Sequence, residues 1–165
     1  MLALDITRAE IESGQMSPEH LTAAVHAIQT DGFVVLNDVI ERAHLDLLRD
    51  RMIADTEKIL ARQDTPFNFN AGNIQQMPPP FPPYLFRDVL VNDMVIAVTQ
   101  AVLGKGVKLD AYTGNNALAR SDRKQPVHPD YGHLWLNTEP ATPPYVLIVN
   151  VPVVDMDARN GSTEI

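Results

Sequence analysis

The segment Gln125-Pro126-Val127-His128-Pro129-Asp130-Tyr131-Gly132-His133 holds the residues best suited to metal chemistry. His128 and Asp130 are two apart, so in an extended segment both side chains project from one face. One imidazole and one carboxylate on a common face are two arms of the 2-His-1-carboxylate arrangement that binds non-haem Fe(II). A surface turn closed by one hydrogen bond has the same spacing, and both readings stand at this point. His133 has an odd offset from His128, which points it to the other face of a continuing strand. The remaining histidines, His20, His26 and His44, fall on helical segments among charged or small residues and read as solvated positions.

The His-Pro-Asp tripeptide also occurs in the interhelical loop of J-domain co-chaperones, after a basic helix. Here Pro-containing, strand-like segments flank it in an acidic chain, which argues against that reading. The sequence has 13 basic and 21 acidic residues, a net charge of −8. Binding to nucleic-acid phosphates needs clustered Lys and Arg, and no such cluster is present. There are no cysteines, which excludes disulfides, zinc ribbons and thiol catalysis. Any metal must therefore sit on His, Asp or Glu. Asp5, Arg8 and Glu10 interrupt the N-terminal stretch, unlike a signal peptide. The apolar stretch 145–154 is broken by Asn150 and Pro152 and is far short of the ~20 residues that span a bilayer. These features lead us to expect a soluble, cytoplasmic protein that binds neither nucleic acid nor membrane.

The 165 residues, 45% of them hydrophobic, fit one domain with a real core. Ser17-Pro18-Glu19 is a helix start, Leu21, Ala24, Val25 and Ile28 form one apolar stripe, and Asp31-Gly32 stops the helix. Phe33-Val34-Val35-Leu36 reads as a strand and Asn37-Asp38 as a turn. A second helix is expected over 41–63, burying Leu45, Leu48, Met52 and Ile59. The Asn-rich and Pro-rich stretch from 64 to 83 is expected to form a long loop, since neither regular helix nor central strand suits it. Asn92 caps a third helix that Gly104 ends. The period then becomes two: Val107, Leu109 and Ala111 predict one half-buried strand, and Tyr145, Leu147, Val149, Val151 and Val153 another. Helices first and strands afterwards predict an α+β chain with an antiparallel second half.

Four pieces in order, Asp31-Gly32-Phe33-Val34-Val35-Leu36, Asn73-Ile74-Gln75-Gln76, Gln125-x-x-His128-x-Asp130 and Asn160-Gly161-Ser162-Thr163-Glu164-Ile165, resemble the phytanoyl-CoA dioxygenase family. The likeness is greatest to its secondary-metabolism branch and runs from about Leu21 onward. The resemblance implies a single domain over 1–165, with N-terminal helices (17–104) packed on a double-stranded β-helix, or jelly-roll, core (105–165). It implies a non-haem Fe(II)/2-oxoglutarate-dependent dioxygenase that hydroxylates or desaturates a small organic substrate while converting the 2-oxoglutarate cosubstrate to succinate. By that match His128 and Asp130 are iron ligands. Gln125 and Thr163 contact 2-oxoglutarate, Asn73 and Gln76 lie over the pocket, and His133 and Gln76 stand behind the ligands. A homodimer is compatible with the match.

The family's distal histidine is carried by a Pro-Gly-x-His stretch, and a basic residue for the far carboxylate of 2-oxoglutarate comes later. Residues 1–165 contain no histidine after His133, and Arg159 falls in a turn. The expectation is therefore a domain lacking its last strands and one metal ligand. Two readings follow: an oxygenase seen in part, or an inactive relative that serves as a binding or partner subunit.

Overall fold

The computed structural model describes residues 2–119, 121–135 and 142–163. Along the chain run β1 (Ala3–Asp5), α1 (Arg8–Ser13), α2 (Pro18–Asp31), β2 (Val35–Asn37), α3 (Arg42–Leu60), β3 (Phe67–Asn68), β4 (Asn70–Gln75), α4 (Arg87–Leu90), α5 (Asp93–Leu103) and β5 (Asn115–Ala117). The chain divides into two compact units, the first Met1–Glu41, Arg87–Lys108 and Pro129–Asn150, the second Arg42–Phe86, Leu109–His128 and Val151–Ile165. The class is mixed helix and sheet, with no closed barrel among the described residues. Among the same residues, no helix is long and apolar enough to cross a membrane.

In the first unit, α2 begins where Ser17 Oγ accepts from His20 N and ends at Gly32 in the left-handed region (φ 85°), as the Ser-Pro and Asp-Gly pairs predict. Its most buried residues are the small Ala24 and Ala27, while Leu21 and Ile28 pack alongside. At α5, Asn92 Oδ1 accepts from Met94 N (3.0 Å) and Val95 N (3.2 Å). Its Nδ2 donates to the Val39 and Asp88 carbonyls, so one side chain caps the helix and ties it to two loops. Leu4, Ile6, Ala24, Met94 and Val98 form the core of this unit. Strand β1 pairs in parallel with β2, Leu4 opposite Leu36.

Helix α1, absent from the sequence reading, is held by a capping box: Glu10 N donates to Thr7 Oγ1 and Thr7 N donates to Glu10 Oε2. The Glu10 carboxylate also accepts from Ser17 N (2.7 Å) and His20 Nδ1 (2.9 Å). This corrects the reading of His20 as solvated: its side chain is 27% exposed and bound to a carboxylate that must be surrounded by donors because it is itself largely buried. His26 is exposed as expected, and His44, half-buried, stacks on Phe86 at 4.1 Å.

The donors around Glu10, first the Ser17 amide and then the Thr7 hydroxyl and amide, hold its carboxyl well below the usual carboxylate range. A depressed folded-state value adds stability above the unfolded value of 4.5, and that stability is lost as pH falls through the folded value. Glu10→Gln should therefore lower the melting temperature by several degrees at pH 7. The gap between wild type and variant should shrink steadily in melts below about pH 4.5. A gap independent of pH would show that the charge at Glu10 is not what stabilises the two helix starts.

In the second unit, α3 buries Leu48 and Met52, two of its four expected stripe residues. Strand β4 is the middle of a three-stranded antiparallel sheet ordered β3-β4-β5. This corrects the expectation that 67–76 forms no central strand. Gly72, Ile74 and Gln76 are buried while Ala71, Asn73 and Gln75 are more exposed, so a period of two runs through a segment whose Asn and Gln content hides it. A similar correction applies near β5. The expected strand over 107–111 joins no sheet and Leu109 is 64% exposed. Inward positions are instead Tyr112, Gly114, Asn116 and Leu118, in phase with the register Ile74↔Asn116. The strand expected over 145–153 does not form among the described residues, and Tyr145 and Val149 are exposed. A ladder needs a partner to accept its backbone groups, and Pro143, Pro144 and Pro152 each remove a donor.

Candidate functional site

Asn73 lies on strand β4, and Gln76 directly follows it. Asn73 pairs with Ala117 of β5, and opposed residues of an antiparallel pair share a face. Gly161 lies against Ala117: an added Cβ would sit 2.8 Å from the alanine Cβ, and φ is 80°, so glycine is required twice over. The Asn160-Gly161-Ser162-Thr163 stretch thus reaches the same strand pair as Asn73. Asn160 itself holds the turn, accepting from Asp157 N and donating to the Asp155 carbonyl. Arg159 lies in that turn and forms an ion pair with Asp157 (2.6 Å). Thr163 is exposed, and residues 164 and 165 of the motif lie outside the described residues.

The segment before His128 meets the other end of β4. Asn70 Nδ2 donates to the Lys124 carbonyl (3.1 Å), and Gly72 is pressed so closely against Ser121 that any Cβ would collide with its side chain. Gln125 follows directly. His128 lies between Pro126 and Pro129; a residue before proline is kept out of the helical region, which fixes its backbone locally. Its Nδ1 is 2.6 Å from the Pro126 carbonyl. A carbonyl only accepts, so Nδ1 carries the proton and a neutral ring keeps its lone pair on Nε2. The ring of Phe69 packs on that of His128, with centroids 4.4 Å apart and planes tilted by 46°.

Among the described residues, three side-chain atoms are buried without a hydrogen-bond partner: Asn73 Oδ1, Tyr112 Oη and Gln125 Nε2. Buried polar atoms are nearly always paired, so each is a place where a polar ligand group or water belongs. Burial also pushes the Tyr112 phenol up from its usual range. Sequence reasoning passed over Tyr112 and Phe69. The aromatic pair Phe67 and Phe69 within an Asn-rich turn was the only hint of the second.

Gln76 has another role. It is 3% exposed, donates from Nε2 to the Met52 carbonyl (2.8 Å), and accepts at Oε1 from Thr56 Oγ1 (3.1 Å) and Asn116 Nδ2. Through these three bonds its amide joins α3 to the sheet. It also lines a groove of about 290 Å³ with Asp55, Lys58, Met77, Pro79 and Phe81. Asp130 and His133 are exposed and belong to the segment Pro129–Asn150 of the first unit. Among the described residues, no three His, Asp or Glu side chains cluster closely enough to hold a metal ion. A facial iron site takes two imidazoles and one carboxylate from the protein. No family model matches the sequence.

Proposed function

We propose that the chain is an Fe(II)- and 2-oxoglutarate-dependent oxygenase of the phytanoyl-CoA dioxygenase type, oxidising a small organic substrate. The three-stranded sheet would be part of a jelly-roll core behind N-terminal helices. The observation that carries the reading is the pair of buried, unpartnered atoms Asn73 Oδ1 and Gln125 Nε2. They lie on two of the residues that the resemblance assigns to the cosubstrate pocket. An amide N–H such as that of Gln125 suits a carboxylate acceptor, and the Asn73 oxygen suits a hydroxyl or water donor.

In this reading His128 offers the neutral imidazole and Asp130 the carboxylate that offsets the metal's charge. The third protein ligand comes from neither. Bound iron supplies dioxygen activation coupled to decarboxylation of 2-oxoglutarate, and the chain's own residues orient the cosubstrate and limit water around it.

The test is binding of Mn(II), as an oxygen-stable stand-in for Fe(II), followed by its electron paramagnetic resonance signal. Wild type should bind it weakly, and His128→Ala or Asp130→Ala should each abolish binding, because a two-donor set has no spare ligand. With Fe(II), ascorbate and 2-oxoglutarate, residues 1–165 alone should release succinate well below the roughly 1 per second typical of enzymes. Binding that survives both substitutions would overturn the proposal in favour of a non-catalytic binding or partner subunit.

A further inference from the structure

Phe69 is a non-glycine residue in the left-handed region, with φ 63°. It is the single residue between β3 and β4, at the turn across which Asn68 pairs with Asn70. A bulky side chain is rarely tolerated there, because its Cβ crowds the backbone. Glycine would fit without strain, and asparagine, which is enriched in this conformation, flanks the position on both sides. The ring does little to bury apolar surface, since Phe69 remains 56% exposed. Its described aromatic contact is with the imidazole of His128 at 4.4 Å. Strained residues that core packing does not explain tend to be kept where a functional group must be held.

We propose that Phe69 is a positioning residue for His128. Its ring braces one side of the imidazole, while the Pro126 carbonyl fixes the proton on Nδ1. Together they restrict the ring to an orientation in which Nε2 is the ligating nitrogen. Groups that orient a ligand histidine without touching the metal commonly change metal affinity by about 10–100-fold. The inference rests on His128 being a metal ligand, and its test separates the two ideas.

Glycine at position 69 removes the ring and the backbone strain together. Phe69→Gly should keep or raise the melting temperature, whereas loss of a structural contact would lower it. In the metal-free chain, ¹⁵N spectra of the imidazole, assigned by the signals lost in His128→Gln, should show a single Nδ1-protonated form for wild type. Phe69→Gly should give averaged tautomers, and Phe69→Tyr should restore the wild-type pattern. Mn(II) affinity should fall about tenfold in Phe69→Gly and recover in Phe69→Tyr. Unchanged His128 signals in Phe69→Gly would overturn the positioning role. If wild type bound no Mn(II), the metal reading would fail while the tautomer comparison still decided whether Phe69 holds the ring.

Discussion

Gln76→Leu is expected to lower stability by about 2–3 kcal/mol, a drop of roughly 5–10 °C in melting temperature for a chain of this size. Leucine nearly fills the space, so little of the cost comes from a cavity. The cost comes from hydrogen bonds. Gln76 Oε1 accepts from both Thr56 Oγ1 and Asn116 Nδ2, and Nε2 donates to the Met52 carbonyl. Thr56 keeps a second acceptor, the Met52 carbonyl at 2.8 Å, and loses little. Asn116 is half-buried and loses the acceptor described for its amide, and an unpaired buried donor costs about 1–3 kcal/mol. The neighbouring Gln75 is exposed, and Gln75→Leu should change stability by less than about 0.5 kcal/mol. Urea unfolding of both variants and of Gln76→Leu/Asn116→Leu provides the check. The double variant should lose less than the sum of the singles, because they remove one shared bond. Strict additivity would mean that the Gln76–Asn116 contact contributes nothing.

The contrast between Gln75 and Gln76 shows what was legible in the sequence and what was not. Where structure is set by adjacent residues, the reading held: Ser17 and Gly32 bound α2, and Asn92 caps α5. Those signals are local side-chain to backbone bonds. Strand β4 was missed because Asn and Gln carry low strand propensity, and only the partner strand and α3 make the alternation worthwhile. The same holds for β5: period two was visible at 107–111, but the register with Ile74 selects the even positions 112–118 instead. His20 looked solvated because Glu10, ten residues earlier, belongs to a helix that the pattern did not reveal. At the candidate site the residue types and their order were readable, whereas their surroundings were not. That Gly161 meets Ala117 and Phe69 meets His128 depends on contacts between residues 44 and 59 positions apart.

Gln125→Leu should separate function from stability. The buried Nε2 has no protein hydrogen-bond partner among the described residues, and a buried donor left unpaired costs about 1–3 kcal/mol. Leucine has a similar size and nothing to satisfy, and the variant should be as stable as wild type or up to about 1 kcal/mol more stable. A residue placed for packing or for internal hydrogen bonding would behave the other way. With Mn(II) and 2-oxoglutarate added, wild type should gain melting temperature as the ligand binds the folded state. The variant should lose most of that gain, because a hydrogen bond to a charged group contributes about 1.5–3 kcal/mol, roughly a 10–150-fold change in affinity. Gln125→Glu should abolish the gain altogether by setting a carboxylate against an anion. If Gln125→Leu instead unfolds more easily and its response to 2-oxoglutarate matches wild type, the amide is structural and the cosubstrate contact is wrong.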